Sequence, residues 1–405
     1  MKEKENSRLS VFLVVLAVCL VYALGGGIRS NYGLMRGAMA ASSGVDYAGI
    51  SFVLAAAQLA FGIMQPVFGA VALKTSNVFV LLCGAAMAVV GLVLTPLCHG
   101  SWTLLLLCFG ILMPAGLGAF SFGLIMGAVT PLLGEKRASA VSGIINASSG
   151  LGSILLALVL RGVLDRFGLW GAVIALCLPM LCLMPVLLLL RKADAKQAES
   201  TPPLLRPLLR SAFHDRSYRL LALAFFTCGF HMAIIETHLY TQFTSYGFTE
   251  QSVTYAFSIY GIATMAGSVV SGYLGSRIPM KTVLGCFYAS RTLWIVGFLL
   301  LPKSPASMYL FAIMLGFTGM ATVPPTSGLI GRLFGPAALG TLFGVAFLFH
   351  QVGSFVSAWI GGLAVTATGG YTLIWGIDAA LCVAAAVFAF RVRLPAPTKN
   401  TLFAE

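Results

Sequence analysis

Apolar residues in this chain do not alternate with polar ones, and they do not form a single helical stripe. They fill long blocks separated by short polar punctuation. A block of about 20 apolar residues matches the thickness of a lipid bilayer, and a backbone in lipid must satisfy its own hydrogen bonds, so each block predicts a membrane-crossing helix. Twelve are expected, over 11–35, 47–72, 78–97, 103–131, 139–161, 169–190, 218–246, 253–276, 282–301, 308–331, 338–366 and 371–391. The fold class is therefore an all-α membrane protein. The composition agrees, since 59% hydrophobic and 9% charged residues over 405 positions exceed what one soluble core could bury. Lys2, Lys4 and Arg8 precede the first block, which is too long for a signal-peptide core and lacks a small-residue cleavage site; it is expected to stay as the first helix.

The longest polar interruption contains Pro202, Pro203 and Pro207 and divides the helices six and six. The expected organisation is an N-terminal bundle over 1–190, a linker over 191–217, a C-terminal bundle over 218–391 and a tail over 392–405. The halves echo each other. Gly69-Ala-Val-Ala-Leu-Lys74 resembles Gly272-Tyr-Leu-Gly-Ser-Arg277 at an offset of 203, Gly152-Ser153 recurs as Gly353-Ser354 at 201, and Gly123-Leu-Ile125 as Gly328-Leu-Ile330 at 205. Matches clustered near one offset favour a duplication that yields two pseudo-symmetric six-helix bundles.

The net charge of +13 raises nucleic acid as a partner, but its distribution excludes that reading. Apart from Arg29 and Arg291, the 25 Lys and Arg residues divide 19 to 4 when the N-terminus and the even-numbered loops are assigned to one side, with only Arg36, Arg161, Arg166 and Lys303 opposite. This is the positive-inside signature, which places both termini in the cytoplasm of a cell whose inner membrane the chain crosses. Trp102, Trp170 and Trp375 begin helices on the outer side, where interfacial anchors belong. Nine cysteines lie scattered in predicted helices without paired spacing, which predicts packed thiols and neither disulfides nor a metal framework. No P-loop, His-Glu-x-x-His or dinucleotide-binding glycine fingerprint is present, so the chain is not expected to be an enzyme, needs no cofactor, and would need another subunit to use ATP directly.

Over essentially its whole length the chain resembles the major facilitator superfamily, whose members carry a Gly-x-Leu-x-Asp-Arg motif after helix 2 and a weaker copy after helix 8. Here Leu73 replaces the acid and Lys74 the arginine in the first copy, and Ser276 replaces the acid in the second. A finer resemblance is to the bacterial monocarboxylate-transporter-like branch, which includes oxalate/formate-type exchangers. It rests on Gly27-Ile-Arg-Ser-Asn-Tyr-Gly33, Gln65-Pro66, Cys228-Gly-Phe-His231, Thr237-His-Leu239 and His350-Gln-Val-Gly-Ser354. The fifth helix lacks the Gly-Pro pair of drug antiporters. The resemblance implies a monomeric secondary transporter that rocks between two states around a midplane cavity and moves a small organic anion, in particular a monocarboxylate, by proton symport.

Arg29 is the sharpest candidate. It lies deep in the first apolar block after three glycines, Gly25 to Gly27, and a charge in such a helix costs roughly 2.5–3.5 kcal/mol unless it faces protein or water. Its planar fork suits a carboxylate; the alternative is a residue that snorkels or bonds carbonyls. Tyr22, Gly25, Tyr32 and Arg36 fall on the same stripe at about 3.6 residues per turn. In the seventh helix His231 and His238 share a face and are expected as substrate donors or titrating groups, against satisfied structural histidines. They are too far apart, at about 10.5 Å along the axis, to share a metal. Glu236 points away from them and is the one carboxylate deep in an inner helix. Desolvation favours the neutral form of such a group, so Glu236 or His231 is expected to carry the proton, unless Glu236 pairs with an arginine such as Arg291. His350, Gln351 and Asn146 complete the expected substrate site. Arg291 and Asp378 are expected to pair internally, and Pro324 and Pro325 to break the tenth helix. Export of an amphipathic drug or metal chelate by proton antiport is the alternative transport reading. A membrane receptor or sensor is the different class, against which the absence of a long soluble domain counts.

Overall fold

The computed structural model describes residues 2–45, 47–191 and 204–394. All regular structure among them is helical. The crossing helices are α1 Lys2–Ser30, α2 Tyr47–Lys74, α3 Asn77–Leu94, α4 Trp102–Leu133, α5 (135–167), α6 (169–190), α7 Arg216–Ser245, α8 Glu250–Arg277, α9 Met280–Leu300, α10 Pro305–Phe334, α11 Pro336–Thr368 and α12 Thr372–Phe390. The apolar run Arg137–Leu187 is 51 residues long, which at about 1.5 Å per residue is twice what a bilayer needs. Gly168, at φ 59° and ψ −152°, breaks its helical geometry and separates α5 from α6. The twelve expected helices are thus present with small shifts at their ends. Most of the expected linker and tail, 192–203 and 395–405, lies outside the described residues, while Leu205–His214 forms a short helix before α7.

Apolar side chains cover the outside. Leu158 and Phe355 are each 69% exposed and Leu293 is 72% exposed, a surface that suits lipid and would aggregate in water. Trp102 and Trp170 remain partly exposed at helix starts, as interfacial anchors should. Trp375 departs from that expectation. It is fully buried, packs edge-on against Phe311 and donates its indole N–H to Gln242 Oε1 at 2.7 Å, so it is a core residue of the second half. No disulfide joins the nine cysteines; Cys182 and Cys286 are exposed instead of packed.

Close backbone approach explains where the sequence repeat comes from. A Cβ on Gly152 of α5 would collide with the carbonyl oxygen of Ala23 on α1, and a Cβ on Gly353 of α11 would collide with that of Phe226 on α7. The same crossing therefore occurs once in each half, at the offset of 201 seen in the sequence. The breaks in α4 and α10 repeat as well. A 3-10 turn at Gly118–Phe120 precedes the half-helix Phe122–Leu133, and a 3-10 turn at Met320–Thr322 precedes Val323–Phe334, each half-helix ending on a positive-φ glycine, Gly134 or Gly335. Those offsets are 202 (320 − 118) and 201 (335 − 134). The Gly-Leu-Ile match at 205 is therefore out of the structural register. Pro324 and Pro325 fall in the first turn of the second half-helix, where a missing N–H costs little, and the 3-10 turn just before them supplies the expected interruption.

The two halves meet at the end that carries the α2–α3 and α8–α9 turns. Gly69 of α2 lies against the backbone of Gly340 and Thr341 on α11, and Gly272 of α8 against that of Gly143 on α5. Ser139 Oγ donates to Gly272 O at 3.1 Å, and Asn146 Nδ2 donates to Ser268 Oγ at 2.8 Å. Leu73, where the family motif has its acid, is buried. This end is held by glycine packing and short polar bridges.

Candidate functional site

Between the halves lies a cavity of about 560 Å³ lined by α1, α2, α4 and α5 on one side and α7, α8, α10 and α11 on the other. Arg29 reaches it from the last turn of α1. The glycine run before it seats this helix, because Gly26 lies against Ser149 and Gly27 against the Gly152 carbonyl of α5. Asn31 then ties off the end of α1, its Nδ2 donating to Gly27 O at 2.7 Å and Ser153 O at 3.0 Å. With the backbone fixed this way, the guanidinium sits 5.3 Å from the Phe61 ring centroid and donates one long bond, Nη1 to Gln58 Oε1 at 3.4 Å. A guanidinium has five donor hydrogens, so most of its capacity remains for a ligand.

Glu236 faces the same cavity from α7 and is exposed there. It lies in a π-helical turn, Ile235–Leu239, which widens the helix at that point; such turns recur at functional sites. No hydrogen bond or ion pair among the described residues engages its carboxylate, and the expected alternative of pairing with Arg291 does not occur. Arg291 is fully buried and donates Nη2 to the carbonyls of Thr318 (2.7 Å) and Gly319 (3.1 Å), just before the break in α10.

The two histidines of α7 share a face as the spacing implies, but that face turns from the cavity. His231 is fully buried, with Nδ1 2.6 Å from Asp378 Oδ2 of α12, which gives Asp378 an internal partner as expected. His238 lies against Gly361 of α11 and the Tyr371 ring, outside the cavity lining. Tyr32 also leaves the Arg29 stripe, because the chain tightens into a 3-10 turn at Tyr32–Met35; it is buried edge-on against Phe109. His350 and Gln351 line the cavity, joined by a 3.3 Å contact between Nδ1 and Oε1, and Gln351 Nε2 donates to Gln58 O at 3.2 Å across the halves. Asn146 lines it too, although its amide donors bridge to Ser268 Oγ and Met320 O at the closed end. The structure thus brings together Arg29, Glu236, His350, Gln351 and Asn146, and sets Tyr32, His231 and His238 apart.

Two features were missed in the sequence. Tyr260 of α8 lines the cavity opposite Arg29's helix, and α4 breaks at Ser121, whose extended backbone and side-chain cap on Leu124 N–H start a half-helix at the cavity wall. A half-helix N-terminus carries partial positive charge and suits an anion. The Gly-Ala-Phe-Ser-Phe-Gly string at 118–123 held the only signal for it.

A pair of six-helix halves related by an internal repeat and enclosing a central cavity defines a secondary-transporter architecture. The chain belongs to the Major Facilitator Superfamily, whose family model matches residues 18–290 and again 239–405. Among curated proteins it is 27% identical over 341 residues to monocarboxylate transporter 12 of Xenopus laevis, covering 75% of this chain and 72% of that protein. It is 23% identical over 379 residues to monocarboxylate transporter 13 of Rattus norvegicus, covering 92% and 86%. It is thus a transporter of this superfamily and not an enzyme, with sequence similarity to monocarboxylate transporters. Among solved structures, a bacterial homologue of the iron transporter ferroportin in an outward-facing state superposes with a TM-score of 0.75 at 14% identity, over 95% of this chain and 99% of that one. The fold is shared at that distance, and nothing finer.

Proposed function

We propose that the protein is a proton-coupled secondary transporter of a small organic monocarboxylate, working as a monomer in an inner membrane with both termini cytoplasmic. The observation that carries this reading is Arg29, a guanidinium at the cavity wall with most of its donors unused. Charge-assisted, bidentate bonding is the strongest contact such a group offers a carboxylate. The start of the α4 half-helix and His350 add to a site that favours anions. In this orientation, which the positive-inside distribution supports, the end closed by Gly69 and Gly272 is the cytoplasmic one.

Glu236 is the group that best fits proton coupling, because it shares the cavity with Arg29, whereas His231 is committed to Asp378. A monoanion entering beside Arg29 leaves the pair with Glu236 one negative charge in excess, and a proton on Glu236 cancels it before the cavity closes. Replacement of Arg29 tests the reading. Arg29→Ala should abolish carboxylate uptake in proteoliposomes while membrane insertion persists. Arg29→Lys should restore little, since an ammonium is a point charge without the planar fork. Uptake by Arg29→Ala at the wild-type rate would remove Arg29 from the site.

A further inference from the structure

Arg29 stands at the head of a continuous aromatic wall that a very small anion would leave unused. Next to the guanidinium is Phe61; Phe61 meets Phe347 edge-on at 5.9 Å; Phe347 stacks on His350 at 5.0 Å with 8° between the planes; and Phe225 packs on His350 at 5.2 Å. All four rings line the cavity. Across it α8 presents Phe257 and Tyr260, themselves 6.3 Å apart. Ring pairs attract through their quadrupoles at centroid separations of about 4.5–7 Å, the spacing this wall already uses, and they do so beyond the effect of buried area alone. The volume of about 560 Å³ lies within the range of about 300–1,000 Å³ typical of sites for ligands much larger than acetate.

Resting on the anion-transport reading above, we infer that the substrate is an aromatic carboxylate. Its carboxylate is held by Arg29, and its ring continues the row begun by Phe61 and Phe347. If these rings only fill the space between the halves, a bound ring and a saturated ring of the same size would be treated alike. That difference separates the two accounts.

The experiment uses the purified full-length protein in detergent and in proteoliposomes, with phenylacetate, cyclohexylacetate, acetate and lactate as probes in thermal-shift and counterflow assays. Phenylacetate should bind about tenfold or more tighter than acetate, from the apolar surface it buries, and about threefold tighter than cyclohexylacetate, from ring–ring geometry. Phe61→Leu should weaken phenylacetate more than acetate, and Phe347→Leu provides the same comparison should the first variant fold poorly. Acetate or lactate binding as tightly as phenylacetate, or cyclohexylacetate matching it, overturns the inference while leaving the carboxylate reading intact. No binding of any of the four acids, or binding indifferent to Arg29→Ala, overturns both.

Discussion

Glu236 and His231 lie five residues apart on one helix and meet opposite fates, which makes them the sharpest comparison at the scale of single residues. Glu236 has a cavity in front of it and no fixed partner, so its protonation can follow the occupancy of Arg29. Glu236→Gln should therefore lose uphill accumulation driven by a pH gradient yet retain exchange of substrate for substrate, because exchange need not release a proton. Uptake by the unaltered protein that ignores an imposed pH gradient would defeat proton coupling altogether. His231 has a carboxylate at 2.6 Å and no exposed surface. Breaking a buried pair by removing one partner costs about 3–5 kcal/mol, since the other group is left without compensation. Asp378→Ala should accordingly lower the melting temperature of the purified protein, while the substrate affinity of the folded fraction stays near that of the unaltered protein. A fall in affinity with unchanged stability would return His231 to the binding site.

At the scale of elements, the long apolar blocks made helix number and position legible, because a bilayer leaves the backbone no alternative. Of their interruptions, only the one at Pro324 and Pro325 was legible. The π-helical turn at Ile235–Leu239 and the extended residue Ser121 carry no proline, and their flanking residues do not by themselves dictate a departure from regular helix. The contacts between elements at the closed end carry a prediction. Gly69 touches the backbone of Gly340 and Thr341, so Gly69→Val wedges α2 from α11 without entering the cavity. States that differ by a few kcal/mol respond to such a wedge with a large change in population. Spin labels at Ser76→Cys and Ser276→Cys, in a background without the native cysteines, should show a longer distance dominating after Gly69→Val. An unchanged distance distribution would mean that the glycine contact does not hold this end shut.

For the whole molecule, the charge asymmetry predicts an orientation that can be checked directly. Reporter fusions placed after Lys196 and at the C-terminus should report cytoplasm, and one after Arg166 the opposite side. An external signal from either of the first two would invert the proposed orientation and put the closed end on the outer side. With Leu73 and Ser276 where acids are usual in the motif, backbone proximity at Gly69 and Gly272 and the bridges from Ser139 and Asn146, none of them ionised, join the halves at this end.

The sequence by itself determined that this chain crosses a membrane twelve times in two related halves, and that Arg29 and Glu236 are the charges to explain. Both conclusions follow from solvation, since apolar length and buried charge have the same cost wherever the helices are placed. Only the tertiary structure decided which face of each helix meets the cavity. Tyr32, His231 and His238 sit at helical spacings as suitable as those of His350 and Gln351, and their fates separate through a 3-10 turn, a carboxylate supplied from α12 and a glycine on α11. Those partners lie more than a hundred residues away for the two histidines. Local periodicity records which residues share a face, and the packing of distant helices records what that face meets.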